Sequence, residues 1–112
     1  MEYSLYFKIL HDLDAVVFFL KNHEESAARK YFNEVVFKKY NVMLHEKNET
    51  IGSGASFFYY DMDTYFNNEF MKEKSGITKE ELVAGFADLV SEYESMTNKK
   101  FVHITEPDEV AS

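Results

Sequence analysis

The strongest structural instruction in the chain lies at residues 77–82, Ile-Thr-Lys-Glu-Glu-Leu. Thr78 and Glu81 stand at the spacing of a capping box, in which each side chain satisfies a backbone N–H that a helix start leaves unpaired. Ile77 and Leu82 are placed to close over it as a hydrophobic staple. From there Leu82, Val83, Phe86, Leu89, Val90 and Tyr93 recur at the helical period, which predicts a helix over 78–97. A chain of 112 residues has room for one domain in which to bury that stripe.

Elsewhere the pattern alternates between strand and helix signals. Residues 2–10, rich in aromatic and branched side chains, read as a strand. Asp12 or Asp14 can cap a helix carrying Leu13, Val16, Val17 and Leu20 on one face, although the β-branched run keeps a strand open as the alternative over 12–22. Asn22 and Glu25 suggest a second capping box opening a helix over 23–40, with Ala28, Phe32, Val35 and Val36 inward. Alternation at Val42 to His45 predicts a strand over 42–48, and Gly52-Ser53-Gly54 a turn into another over 55–62. A short helix over 64–74 should end near Gly76. Phe101-Val102-His103-Ile104-Thr105 reads as a last strand.

Joined, these elements predict an α+β domain over 1–106 in the βαββαβ order of the ferredoxin-like motif, with its broken helices on one face of a four-stranded antiparallel sheet. Residues 107–112 are expected to be a disordered acidic tail. That order, with Leu5-Tyr6-Phe7-Lys8-Ile9-Leu10 and Gly54-Ala55-Ser56-Phe57-Phe58-Tyr59-Tyr60 at its first and third strands, is similar to the RNA-recognition motif. The likeness stays at topology. No Lys or Arg precedes Gly54, and Asp61 and Asp63 follow the aromatic run, where they oppose a phosphate backbone.

Charge carries the functional reading. The net charge is −8, and it is uneven: residues 1–56 carry −1 and residues 57–112 carry −7. Nucleic acids and anionic membranes both reward Lys and Arg, so direct binding to either is not expected. Seven of the 19 aromatic residues fall within 57–70, interleaved with Asp61, Asp63 and Glu69. On the helix over 78–97, Glu80 and Glu81 suit the positive N-terminus of the macrodipole. Asp88, Glu92 and Glu94 have no such local reason, and Asp88 repels Glu92 at i, i+4. A local cost without a local gain points to a used surface.

The expected function is therefore a non-catalytic inhibitor or adaptor. It docks Tyr59, Tyr60 and Tyr65, ringed by Asp61, Asp63, Glu69, Asp88, Glu92 and Glu94, on a basic protein such as a nuclease, a toxin or another nucleic-acid-binding protein, its carboxylates standing in for phosphates. In composition the chain is similar to bacterial immunity proteins, antitoxins and phage-encoded inhibitors of host defence, which are also short, acidic and Cys-free. The alternative is a homodimer that pairs its sheets around an aromatic-lined pocket for a small molecule or a reaction.

No chemistry-bearing motif competes with these readings, and neither a cofactor nor a metal is expected. The chain has no Cys, which removes thiolate nucleophiles and Cys-based metal sites. Asp61-Met62-Asp63 begins like an EF-hand loop, but Phe66 stands where that loop needs Gly and Lys72 where it needs Glu. His11, His23, His45 and His103 lack zinc-ligand spacing. Ile51-Gly52-Ser53-Gly54 is neither a nucleophile elbow nor a phosphate-binding loop. The longest apolar run, Ala15–Leu20, is six residues, against the roughly 20 of a membrane helix. With no basic n-region at Met1-Glu2-Tyr3-Ser4, the expected location is the cytoplasm.

Overall fold

A computed structural model describes residues 4–45 and 53–103, and every regular element among them is helical. The elements are α1 (Ser4–Lys21), α2 (Glu25–Tyr31), a π-helical segment (Phe32–Phe37), α3 (Lys38–His45), α4 (Ser53–Asn67), α5 (Glu69–Ser75) and α6 (Lys79–Thr97). No strand occurs among the described residues, which overturns the α+β, ferredoxin-like expectation. Residues 4–10 and 55–62, expected as strands, lie in α1 and α4, and residues 42–45 close α3. Residues 101–103, expected to belong to the last strand, have no regular secondary structure. Residues 46–48, 104–105 and the expected tail at 107–112 lie outside the described residues.

The physical reason for the correction is enclosure. α1 packs on α2, the π-helical segment and α6, so Asp12 to Val17 are six consecutive buried residues. Over that stretch no polar stripe makes the helical period visible, and its β-branched residues imitate a strand. At 4–10 and 55–62, where Phe7, Lys8, Phe57, Tyr60 and Asp61 stay exposed, burial of the other face overrides the strand leaning of the aromatic residues. Leu13, Val16, Val17 and Leu20 do face the core, as the helical alternative required. Asp12 and Asp14 are buried in the middle of α1 and cap nothing.

Four long segments form a ring with alternating direction. The three-residue link Asn22–Glu24 turns α2 back against α1. α6 also runs antiparallel to α1, because Tyr6 meets Tyr93 at 5.6 Å while Leu20 meets Val83 at the other end. α4 is antiparallel to α6 in turn: Gly54 lies against Leu89 and Phe58 against Phe86. Tyr59 reaches Asn41 and Asn67 reaches Asn33, which sets α4 antiparallel to the α2–α3 rod. This is the up-down-up-down arrangement of a four-helix bundle.

Local chemistry explains the ends. Thr78 Oγ1 accepts the Glu81 N–H at 3.2 Å, the Thr78 half of the expected capping box, and α6 starts at Lys79. Asn68 Oδ1 caps α5 by accepting from Met71 N. Gly76 ends α5 at φ +70°, a conformation that favours glycine. The expected Asn22 capping box does not form: Asn22 Nδ2 donates back to Phe18 O and closes α1 instead. In the rod, Phe32, Val36 and Tyr40 are spaced by four, which would drift by about 40° per step in a helix of 3.6 residues per turn. The wider π-helical turn takes up that drift, and all three stay buried. At the closest α4–α6 approach, a Cβ on Gly85 would lie 3.3 Å from the Phe58 ring.

Candidate functional site: the acidic seam of α4 and α6

The register of α4 against α6 brings one exposed strip of each helix together. α4 contributes Phe57, Tyr60 and Asp61, at the i, i+3, i+4 spacing of a single face. α6 contributes Glu81, Asp88 and Glu92, all exposed and at i, i+7, i+11, a repeat that keeps one side of a helix. Two contacts tie the strips: Asp61 feels the charge of Glu81, and Glu92 Oε2 stands about one van der Waals contact (3.4 Å) from where a Gly54 Cβ would be. α4 holds no Lys or Arg at all, and the one Lys of α6, Lys79, lies on the α1 side beside His23.

The seam carries two measurable costs. Partial burial, and then repulsion from Glu81, hold the Asp61 carboxyl above the usual carboxylate range. Phe57 leaves 69% of its surface in water and Tyr60 39%. Asp88 and Glu92 form no hydrogen bond or ion pair with another described residue.

The other expected site residues are placed elsewhere. Tyr59 is wholly buried, packs on Phe32 at 5.5 Å and donates its hydroxyl to Asn41 Oδ1 at 2.8 Å. Burial, with the nearby Asp63 charge, pushes its hydroxyl well above the ordinary range. Asp63 faces the α2–α3 side, where it accepts from Asn67 Nδ2 at 2.8 Å. Tyr65 is 7% exposed and donates to Glu25 Oε1 at 2.9 Å beneath the Lys72 ammonium, which sits 4.1 Å from its ring centre. Burial first and then that hydrogen bond push the Tyr65 hydroxyl up to about 12. Glu69 shares with Tyr65, Glu25, Arg29 and Lys72 a polar cleft of about 210 Å³ at the α2–α4–α5 corner. Glu94 Oε2 accepts the Phe101 N–H at 2.7 Å, so it has the local structural reason that the sequence did not reveal.

That contact fastens the chain after α6. Phe101 is 3% exposed among Phe7, Phe86 and Tyr93, and His103 Nδ1 reaches the buried Asp14 Oδ1 at 2.8 Å. The structure thus gathers Tyr60, Asp61, Asp88 and Glu92, adds Phe57 and Glu81, and disperses Tyr59, Asp63, Tyr65, Glu69 and Glu94. Phe57 becomes visible once 53–67 is read as a helix, since its period puts it beside Tyr60 and Asp61, whereas Glu81 joins them only through the packing of α6 on α4.

Among the described residues no group of three or more His, Asp or Glu side chains is arranged to hold a metal ion, and no helix is long and apolar enough to cross a membrane. In comparisons with protein-family models, curated proteins and solved structures, nothing matches this chain.

Proposed function

We propose that this protein is a non-catalytic binding module that docks the α4–α6 seam on a basic protein, and that it acts as an inhibitor or adaptor of a nucleic-acid-processing partner. The observation that carries this reading is the joining of two strips, each costly by itself, into one face: exposed rings at Phe57 and Tyr60 beside Asp61, Glu81, Asp88 and Glu92. Exposed rings supply anchors, and unpaired carboxylates supply steering and partner choice. A cationic partner also relieves the Asp61–Glu81 repulsion, so the cost in the free protein becomes a gain in the complex. A row of carboxylates on a rod-like face offers a basic nucleic-acid channel the charge that it is built to accept. The alternative homodimer that pairs sheets is withdrawn, because the described residues contain no sheet.

The test is capture from native lysate with tagged protein, eluted along a salt gradient, beside the triple variant Asp61→Asn, Asp88→Asn, Glu92→Gln. The expected result is a stoichiometric basic partner released by salt, absent from the variant, while the variant's unfolding midpoint matches the parent's within a degree or two. A partner held equally at high salt, or equally by the variant, refutes the seam as the interface.

A further inference from the structure

On the other flank of α6, a groove of about 310 Å³ opens between the last turn of α1 and the start of α6. Leu20, Val83, Ala84 and Ala87 form its apolar floor. The two alanines leave open the space that larger side chains would fill. Lys21, His23 and Lys79 complete its lining with Glu80, the stems of the two lysines extending the apolar surface and their ammonium groups lying at its edge. In a chain of net charge −8 this is a local reversal of sign.

His23 supplies an independent observation. Its φ is +59°, and the bonds from His23 N to Leu20 O and from Glu24 N to Phe19 O make it the left-handed residue that ends α1. Glycine or asparagine usually occupies such a position, since a larger side chain is strained there. What the imidazole does in exchange is accept a hydrogen bond from Lys79 Nζ through Nδ1 at 3.0 Å. That bond holds the ammonium beside the groove through one of its three N–H donors. Backbone strain that serves to position one cation is strain stored at a site.

We propose that this groove binds a free medium-chain fatty acid, its alkyl chain along Leu20, Val83, Ala84 and Ala87 and its carboxylate against Lys79 and Lys21. The floor selects hydrocarbon, and the rim selects an anion. Glu80 repels a second negative group, which favours a monocarboxylate over a phosphate monoester. The volume suits one short chain, being at the lower end of the roughly 300–1,000 Å³ typical of small-ligand sites. This assignment does not rest on the acidic seam, whose Glu81 and Asp88 border the groove at Ala84 on α6.

Isothermal titration of the intact chain with hexanoate, octanoate and decanoate, each below its micelle concentration, tests it. Saturable one-to-one binding should tighten about fourfold with each added methylene, the factor that burial of one CH₂ implies. Ala87→Phe, which fills the floor, should abolish binding, and Ala84→Leu should weaken it by shortening the longest chain accepted. Unfolding midpoints show that both variants are folded. Lys21→Gln with Lys79→Gln should weaken decanoate about tenfold and leave decanol unchanged. Binding without a chain-length dependence, binding that survives Ala87→Phe in a folded protein, or equal loss of decanoate and decanol overturns the assignment. So does failure of the intact chain to bind, including the case in which removal of residues 104–112 restores binding and thereby names that acidic segment as the occupant. Association with phosphatidylglycerol vesicles but not with monomeric decanoate also overturns it.

Discussion

Asp12 offers the sharpest test of the packing argument. Its carboxylate is 7% exposed in the middle of α1, where an unpaired charge would be untenable. Three donors reach it from the α2–α3 rod: Tyr40 Oη at 2.6 Å, Lys39 Nζ at 3.4 Å and Tyr31 Oη at 3.5 Å. Tyr40 is itself 6% exposed, and burial together with this bond pushes its hydroxyl far above the ordinary range. A short hydrogen bond to a charged group contributes about 1.5–3 kcal/mol, whereas Lys39 works mostly from solvent and contributes about 0–1 kcal/mol. Tyr40→Phe should therefore cost about 2 kcal/mol and lower the thermal midpoint by about 8–12 °C for a chain of this size. Tyr31→Phe, which removes the longest of the three contacts, should cost under about 1 kcal/mol. Asp12→Ala should cost about 3 kcal/mol, because it strands the Tyr40 hydroxyl as well as emptying space. In a double-mutant cycle of Asp12→Ala with Tyr40→Phe, followed by urea unfolding, the coupling should exceed about 1 kcal/mol. A coupling below about 0.5 kcal/mol, or a Tyr31→Phe effect as large as that of Tyr40→Phe, refutes the assignment of Asp12 as the polar tie between α1 and the rod.

Two further expectations follow from single residues. Tyr6 is 1% exposed, its hydroxyl has no hydrogen-bond partner among the described residues, and burial, reinforced by the Glu92 charge, pushes it up to about 12. Tyr6→Phe keeps the ring contact with Tyr93 and removes the orphan, so it should be neutral or stabilising by about 1 kcal/mol in chemical denaturation; a loss above that would reveal a partner for the hydroxyl. For Asp61, the folded carboxyl lies above its unfolded value of 3.8, so the native state holds the proton more tightly. The resulting penalty is absent at low pH, grows as pH rises through the raised value and is complete at neutrality. Asp61→Asn should thus stabilise by a few tenths of a kcal/mol at pH 7, as for relief of an exposed like-charge pair, with the gain fading toward about pH 4. A destabilised variant at pH 7 would contradict the repulsion.

The two halves of the chain were unequally legible for a physical reason. α6 announces itself because its signals are local: Thr78 caps its first turn, Gly76 ends α5 just before it, and one side of the helix faces water. α1 and α4 do not. Residues such as Val16, Val17, Phe58 and Tyr59 have intrinsic leanings toward strands, and those leanings amount to less than the burial that overrides them. The same limit applied to the acids. Glu94 reads on paper like Asp88 and Glu92, and only the return of the chain after α6, which puts Phe101 N on its carboxylate, separates it from them.

Sequence alone therefore determined the acidic balance, its concentration in the second half, and the place and start of α6, all of them sums or short-range patterns. The tertiary structure decided which helix each aromatic run belongs to, which carboxylates share a face, and where a cationic rim meets an apolar floor. Those are matters of packing between segments 20 to 60 residues apart, such as Asp61 with Glu81 or His23 with Lys79, and no local period encodes them.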